Sequence, residues 1–192
     1  KLFSMIDTGL RQLDRPALLA RVERQVGAGA AERLVAAYEE ALAERGLVQP
    51  SDLFVAVETD RVFRIPALRL AEAQLDHAED VFVYRFDWES PALGGALGAC
   101  HAIELGFVFG VLDKPGIDFL SGKGPEAERL SETAMDAWLA FARGGDPSHA
   151  RLPGARWPRY DAERRATLVF GRACEVQYDP GERERRAWEG LL

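Results

Sequence analysis

Apolar residues recur at helical spacing through the first third of the chain. Over Pro16 to Gln25, Leu18, Leu19 and Val22 share a stripe that Val26 extends, and Pro16 suits the first turn of a helix. Gly27-Ala28-Gly29 breaks the pattern. Ala30 to Arg45 repeats it with Leu34, Ala37, Tyr38, Ala41 and Leu42, and Gly46 stands where a helix-ending glycine belongs. Ser51 is the expected N-cap of a third helix carrying Leu53, Phe54 and Val57. Ile65-Pro66 predicts a kink or restart, because proline disfavours helix in the residue before it. Ala67 to His77 continues as helix.

The period changes at Val81. Val81-Phe82-Val83-Tyr84-Arg85-Phe86 is a β-prone run of the kind expected for a strand buried on both faces. A loop rich in glycine and proline, Asp87 to Gly98, leads to Cys100-His101, and Ala102 to Phe109 predicts a short helix. Gly124-Pro125 followed by Glu126 and Glu128 opens a longer helix. Leu130, Ala134, Ala137, Trp138 and Phe141 form its expected buried stripe, and Gly144-Gly145 ends it. Thr167 to Phe170 predicts a strand, and Cys174, Val176 and Tyr178, alternating with Glu175 and Gln177, predict an edge strand. Gly171-Arg172-Ala173 is short enough for the hairpin turn between them. Pro180 to Trp188 predicts a surface helix. The expected fold class is α/β, helix-rich, with about three strands belonging to a larger sheet.

Composition narrows the classes of function. The chain has 192 residues, 47% hydrophobic and 29% charged, which suits a globular protein. No apolar run approaches the roughly 18 residues of a membrane helix, so no membrane partner is expected. Net charge is −7, from 24 basic and 31 acidic residues, and a phosphate-binding surface wants the opposite sign. No nucleic-acid partner is expected either. Asp7 and Ser4 interrupt any secretory pattern in Lys1 to Leu10, and the expected compartment is the cytoplasm. The first residue is not methionine, which fits a processed product or a fragment. Cys100 and Cys174 lack both a disulfide framework and zinc spacing, and no metal site is expected.

His101 is the strongest candidate for chemistry. It follows a long loop after a strand, the place where α/β enzymes set reactive groups. A neutral imidazole can take a proton from a hydroxyl nucleophile and return it to a leaving group. The local sequence taken alone favours a partly buried, hydrogen-bonded structural histidine over a catalytic one. His77 is expected to cap a helix end, and His149, in a Gly-Asp-Pro-Ser loop, to be solvated. There is no G-x-S-x-G nucleophile elbow. Ser121, within Phe119-Leu120-Ser121-Gly122-Lys123-Gly124, is expected in a flexible surface turn.

Gly98-Ala99-Cys100-His101-Ala102-Ile103-Glu104-Leu105-Gly106-Phe107-Val108-Phe109-Gly110 resembles the histidine motif of the type B carboxylesterases, the group of para-nitrobenzyl esterases and cholinesterases. Other segments keep the order of that family. Tyr84-Arg85-Phe86-Asp87-Trp88 resembles its strand before the histidine loop. Asp60 to Pro66 resembles its Asp-x-x-Phe-x-x-Pro helix. Trp138 to Ala142 with Gly145-Asp146-Pro147 resembles its late helix and turn, and Trp157-Pro158-Arg159-Tyr160-Asp161 its Trp-Pro-x-Tyr element.

The resemblance implies an α/β-hydrolase fold in which residues 1–192 are a C-terminal segment, 1–78 mainly helical and 79–192 carrying strand, histidine loop, helix and edge strands. It implies His101 as catalytic base, with the serine and the triad acid supplied by a missing N-terminal part of the same protein. Asp7 is a weaker candidate for the acid. Glu104 corresponds to a buried acid near the histidine, where it tunes the histidine's charge or holds a water. Its position in a helix's first turn gives it an equal structural explanation. Leu105, Phe107 and Phe109 are expected to fill the core, with lining of the acyl or alcohol pocket as the alternative. Phe3, Met5 and Ile6 border the gorge by analogy. The implied reaction is hydrolysis of a small carboxylic ester without metal or organic cofactor. The alternative is a catalytically silent cholinesterase-like binding or adhesion module. An unrelated helical interaction domain would mean that Val81 to Phe86 is not a buried strand.

Overall fold

The computed structural model describes residues 8–191, so Phe3, Met5, Ile6 and Asp7 lie outside the described residues. The chain divides into two compact units, one of residues 71–179 and one of residues 8–70 with 180–191.

The second of these units is helical. Helix α1 (Arg15–Val26) starts at Asp14, whose carboxylate accepts from the Ala17 N–H at 2.8 Å, with Pro16 in the first turn. Gly27 alone makes the break, with φ +85°, and α2 (Ala28–Ala43) already contains Ala28 and Gly29. Helix α3 (Pro50–Thr59) begins one residue before the expected cap. Gln49 is the cap and Pro50 takes the first helical position, where its missing N–H is not needed; Ser51 lies inside the helix. A π-helical turn (Asp60–Arg64) then joins α3 to α4 (Ile65–Gln74). Pro66 has no N–H for the usual ladder, and the expected kink takes the form of this wider turn. Leu18, Val22, Leu34, Val35, Leu53 and Val57 fill the core.

Helix α8 (Glu182–Ala187) closes the helical unit. It is more than the expected surface helix, because Trp188 at its end is buried beside Tyr38. The Trp188 Nε1–H donates to the Tyr38 hydroxyl at 2.8 Å, and that hydroxyl donates to Asp60 Oδ2. Arg64 grips the same carboxylate, Nε to Oδ1 at 2.9 Å and Nη2 to Oδ2 at 2.5 Å, and donates from Nη1 to the Pro180 carbonyl at 2.8 Å. Burial first, and the Asp60 charge second, push the Tyr38 phenol far up, so it stays a donor.

The unit of residues 71–179 carries the sheet, in the order β1-β2-β3. Strand β1 (Val83–Phe86) runs parallel to β2 (Ala166–Phe170), with Val83 opposite Thr167. Strand β3 (Glu175–Tyr178) returns antiparallel through the expected short turn. The buried strand is β2, along its whole length, not β1. Among the described residues β1 pairs on one side only, and Tyr84 is 39% exposed. A parallel pair needs a long crossover, and this one contains α5 (Glu104–Val108), α6 (Ile117–Ser121) and α7 (Pro125–Gly144).

Helix α7 opens at Gly124-Pro125 as expected, and Gly145, in the left-handed conformation at φ +76°, stops it. Leu130, Ala134 and Ala137 are buried in the core with Leu168 and Phe170. Phe141, expected in that stripe, is exposed, one turn beyond the covered part of the helix. Trp157 packs on Phe170 at 5.4 Å between ring centres, and its Nε1–H donates to the Val83 carbonyl at 3.3 Å. No helix among the described residues is long and apolar enough to cross a membrane.

Candidate active site

The chain leaves β1 into a loop that is pinned rather than loose. Trp88 is buried, and its Nε1–H donates to the Ser121 carbonyl at 2.8 Å. The Ser90 hydroxyl donates to the Leu120 carbonyl at 2.6 Å and accepts from the Ala92 N–H at 3.2 Å. The Ser90 N–H donates to the Gly98 carbonyl at 3.0 Å, closing the loop on itself. Ala92 and Leu97 bury beneath it.

His101 emerges from this support. Its neighbours Cys100 and Ile103 are 8% and 4% exposed, while His101 itself is exposed. Ala102 adopts φ +66°, and α5 begins at Glu104. Phe107 anchors α5 from below, 5.2 Å from the Phe86 ring and 5.3 Å from the Trp88 ring, and its carbonyl accepts from the Ser131 hydroxyl at 2.8 Å. Gly106 is where α6 comes closest to α5: a Cβ there would lie 2.6 Å from Ile117 Cγ2.

Glu104 is half-buried on the first turn of α5, and its charge reaches Tyr84. Burial first and that carboxylate second raise the Tyr84 phenol above its ordinary range. Leu105 and Phe109 are exposed, Phe109 to 71%, so the core explanation given for all three apolar residues of this helix holds for Phe107 alone. Helical spacing puts Leu105 and Phe109 on one uncovered face.

Ser121 is 1% exposed and its hydroxyl donates to the Ile117 carbonyl at 2.7 Å, inside α6. It is buried because Trp88 is seated on its carbonyl, and it is not the surface turn expected from its glycines. Cys100 is buried, and burial pushes the Cys174 thiol up, away from the reactive thiolate form. His149 is tucked in rather than solvated, with its side chain 13% exposed, Nε2 buried and Nδ1 accepting from the Arg151 N–H at 3.4 Å. His77 is exposed in the turn after α4. Among the described residues, no three His, Cys, Asp or Glu side chains gather as a metal site.

A cavity of about 610 Å³ opens beside Trp88, Ser90, Ser121, Lys123, Glu126 and Arg172. His101 does not line it, and its walls carry charges already paired, Arg172 with Glu126 and Lys123 with Asp118. The cavity and the candidate base are separate features of this unit.

Comparison with known proteins gives the site its context. The family model described as the carboxylesterase family matches residues 8–188. The chain belongs to the carboxylesterase family. It is 36% identical over 176 residues to the phenmedipham hydrolase of Pseudarthrobacter oxydans, covering 90% of this chain and 34% of that protein. It is 38% identical over 130 residues to the para-nitrobenzyl esterase of Bacillus subtilis, covering 67% of this chain and 25% of that protein. Among solved structures it superposes on a Geobacillus stearothermophilus carboxylesterase with a TM-score of 0.83 at 40% identity, over 97% of this chain and 37% of that one. A PNB esterase matches with a TM-score of 0.66 at 30% identity, over 91% of this chain and 33% of that one. The fold is therefore part of a carboxylesterase α/β-hydrolase, and the chain spans between 25% and 37% of the length of these relatives.

Sequence reasoning did not find Ala102 as a conformational feature or Tyr84 as the neighbour that feels Glu104. The first left one trace, a small residue directly after the histidine. The second left none, since β1 and α5 meet only in the folded unit.

Proposed function

We propose that this chain supplies the catalytic base, His101, of a serine carboxylesterase. The observation that carries the proposal is an exposed imidazole held between two buried neighbours, at the end of the pinned loop that follows β1, inside the segment matched by the carboxylesterase family. In this reading residues 1–192 are a C-terminal segment of the α/β-hydrolase domain. The preceding part of the same protein brings the serine, on its elbow, and the triad acid.

The chemistry is two-step acyl transfer. The serine hydroxyl attacks the ester carbonyl and gives its proton to the His101 imidazole. Backbone N–H groups hold the oxyanion. His101 then protonates the departing alcohol, takes a proton from water, and the hydroxide releases the acid and restores the serine. No cofactor enters this cycle. Glu104, on the first turn of the helix that follows His101, is the family-like acid near the base and either acts on it or holds an ordered water beside it. The substrate is a small carboxylic ester, a class consistent with relatives named for phenmedipham and para-nitrobenzyl hydrolysis.

The test is His101→Ala in the complete protein with a para-nitrophenyl ester. We expect kcat to fall by roughly 10³-fold or more. A loss below about tenfold removes the base role, whereas a complete protein that hydrolyses no ester and carries no serine on a G-x-S-x-G elbow favours the silent binding module instead.

A further inference from the structure

We infer that Ala102 is a positioning residue, whose left-handed backbone fixes the direction in which His101 leaves the chain. The inference rests on the proposed role of His101 and adds the device that holds it.

Residues 100–103 form a tight turn. The Ile103 N–H donates to the Cys100 carbonyl at 3.3 Å, which places His101 and Ala102 at the two corners. Ala102 has φ +66°, whereas His101 is not among the residues of positive φ. A positive φ at the second corner alone is the pattern of a type II turn, where glycine is the favoured residue. Alanine there is strained by its Cβ. Such strain persists only where the surroundings impose it.

The surroundings do so from both sides. Cys100 and Ile103 are buried, which fixes the entry and the exit of the turn. The Ala102 carbonyl accepts from the Leu105 N–H at 3.3 Å, so the strained residue is also tied to the first turn of α5. Phe107 ties that helix to Phe86 and Trp88. With these anchors set, the one freedom left is the rotation of the His101–Ala102 peptide. A positive φ at Ala102 selects one orientation of it, with the imidazole outward. A residue that rejects positive φ drives the peptide to the form with both corners negative and displaces the ring.

The experiment compares Ala102→Gly, Ala102→Asn and Ala102→Val in the complete esterase, with kcat, KM and melting temperature read for each. Glycine and asparagine accept positive φ, while valine, of a size comparable to asparagine, does not. We expect Gly and Asn to keep kcat within about threefold, and Val to lose about tenfold or more in kcat with KM changed less than about twofold and the fold retained. Equal losses for Asn and Val would point to crowding and overturn the inference, as would a fully active Val variant. Should Ala102→Val not fold, a folded Asn variant with kcat down about tenfold overturns it by itself. His101→Ala, assayed alongside, reports separately on the base role: an active His101→Ala removes that reading, whereas an inactive His101→Ala beside an active Val variant removes only this one.

Discussion

A carboxylate held away from water must be paired and hydrogen-bonded, or it is forced to neutralise. Asp60 meets that demand with Arg64 on both oxygens and Tyr38 on one, and Tyr38 is held in turn by Trp188. Removing the acid strands a half-buried guanidinium. We expect Asp60→Ala to lower the unfolding free energy by about 3 kcal/mol in urea titration. Tyr38→Phe, which leaves Asp60 its arginine but deprives the indole N–H of its acceptor, should cost about 1–2 kcal/mol. His149 gives a second measurable quantity. Burial, aided by Arg151, holds its pKa below the ordinary imidazole value, against the opposing pull of Asp136 and the Thr133 backbone. Its neutral form is therefore the folded form. Stability from this residue is complete above the unfolded pKa of about 6.5 and declines as pH falls below it toward the depressed folded value. The melting temperature should drop more steeply below pH 6.5 in the parent than in His149→Gln, and parallel curves would remove the assignment. Sequence reading placed Tyr38 correctly on an apolar stripe and Asp60 in a family-like segment. It could not pair them with Trp188, because hydrogen bonds between residues 150 apart leave no local pattern.

Elements were more legible than their neighbours. The β-prone run at Val81 to Phe86 does contain a strand, and the Thr167 to Phe170 run and the alternating Glu175 to Tyr178 form the hairpin read from them. What periodicity could not give was order: β2 takes the middle and β1 keeps a side without a partner strand among the described residues. Burial on both faces is a property of a strand's neighbours, and an apolar run reports only compatibility with it. Helix ends misread by a residue, as at Pro50, reflect a proline at the first helical position competing with a serine cap. At the contact of α5 with α6, Gly106 leaves no room for a side chain. Gly106→Ala should destabilise the protein by roughly 1–3 kcal/mol, and Ile117→Ala, which removes the clashing methyl, should recover part of that loss in the double variant. Additive costs would show that the two helices can part without strain.

At the scale of the molecule, the proposed base lies in a chain that spans 34% of the phenmedipham hydrolase and 25% of the para-nitrobenzyl esterase it matches. In the proposed reading the nucleophilic serine lies outside this chain, on an elbow supplied by the preceding part of the protein. We expect the purified 192-residue chain to release no para-nitrophenol from short-chain esters. Turnover that persists in the chain but vanishes in its His101→Ala variant would mean a nucleophile lies within it after all. The helical unit is assembled from both ends of the sequence, since Tyr38 receives the indole of Trp188 only after 150 further residues have been added. At ribosomal speeds that interval is roughly 8–30 s. The slot for that indole can fill only after this interval, so closure of the helical unit is timed by translation rather than by helix formation.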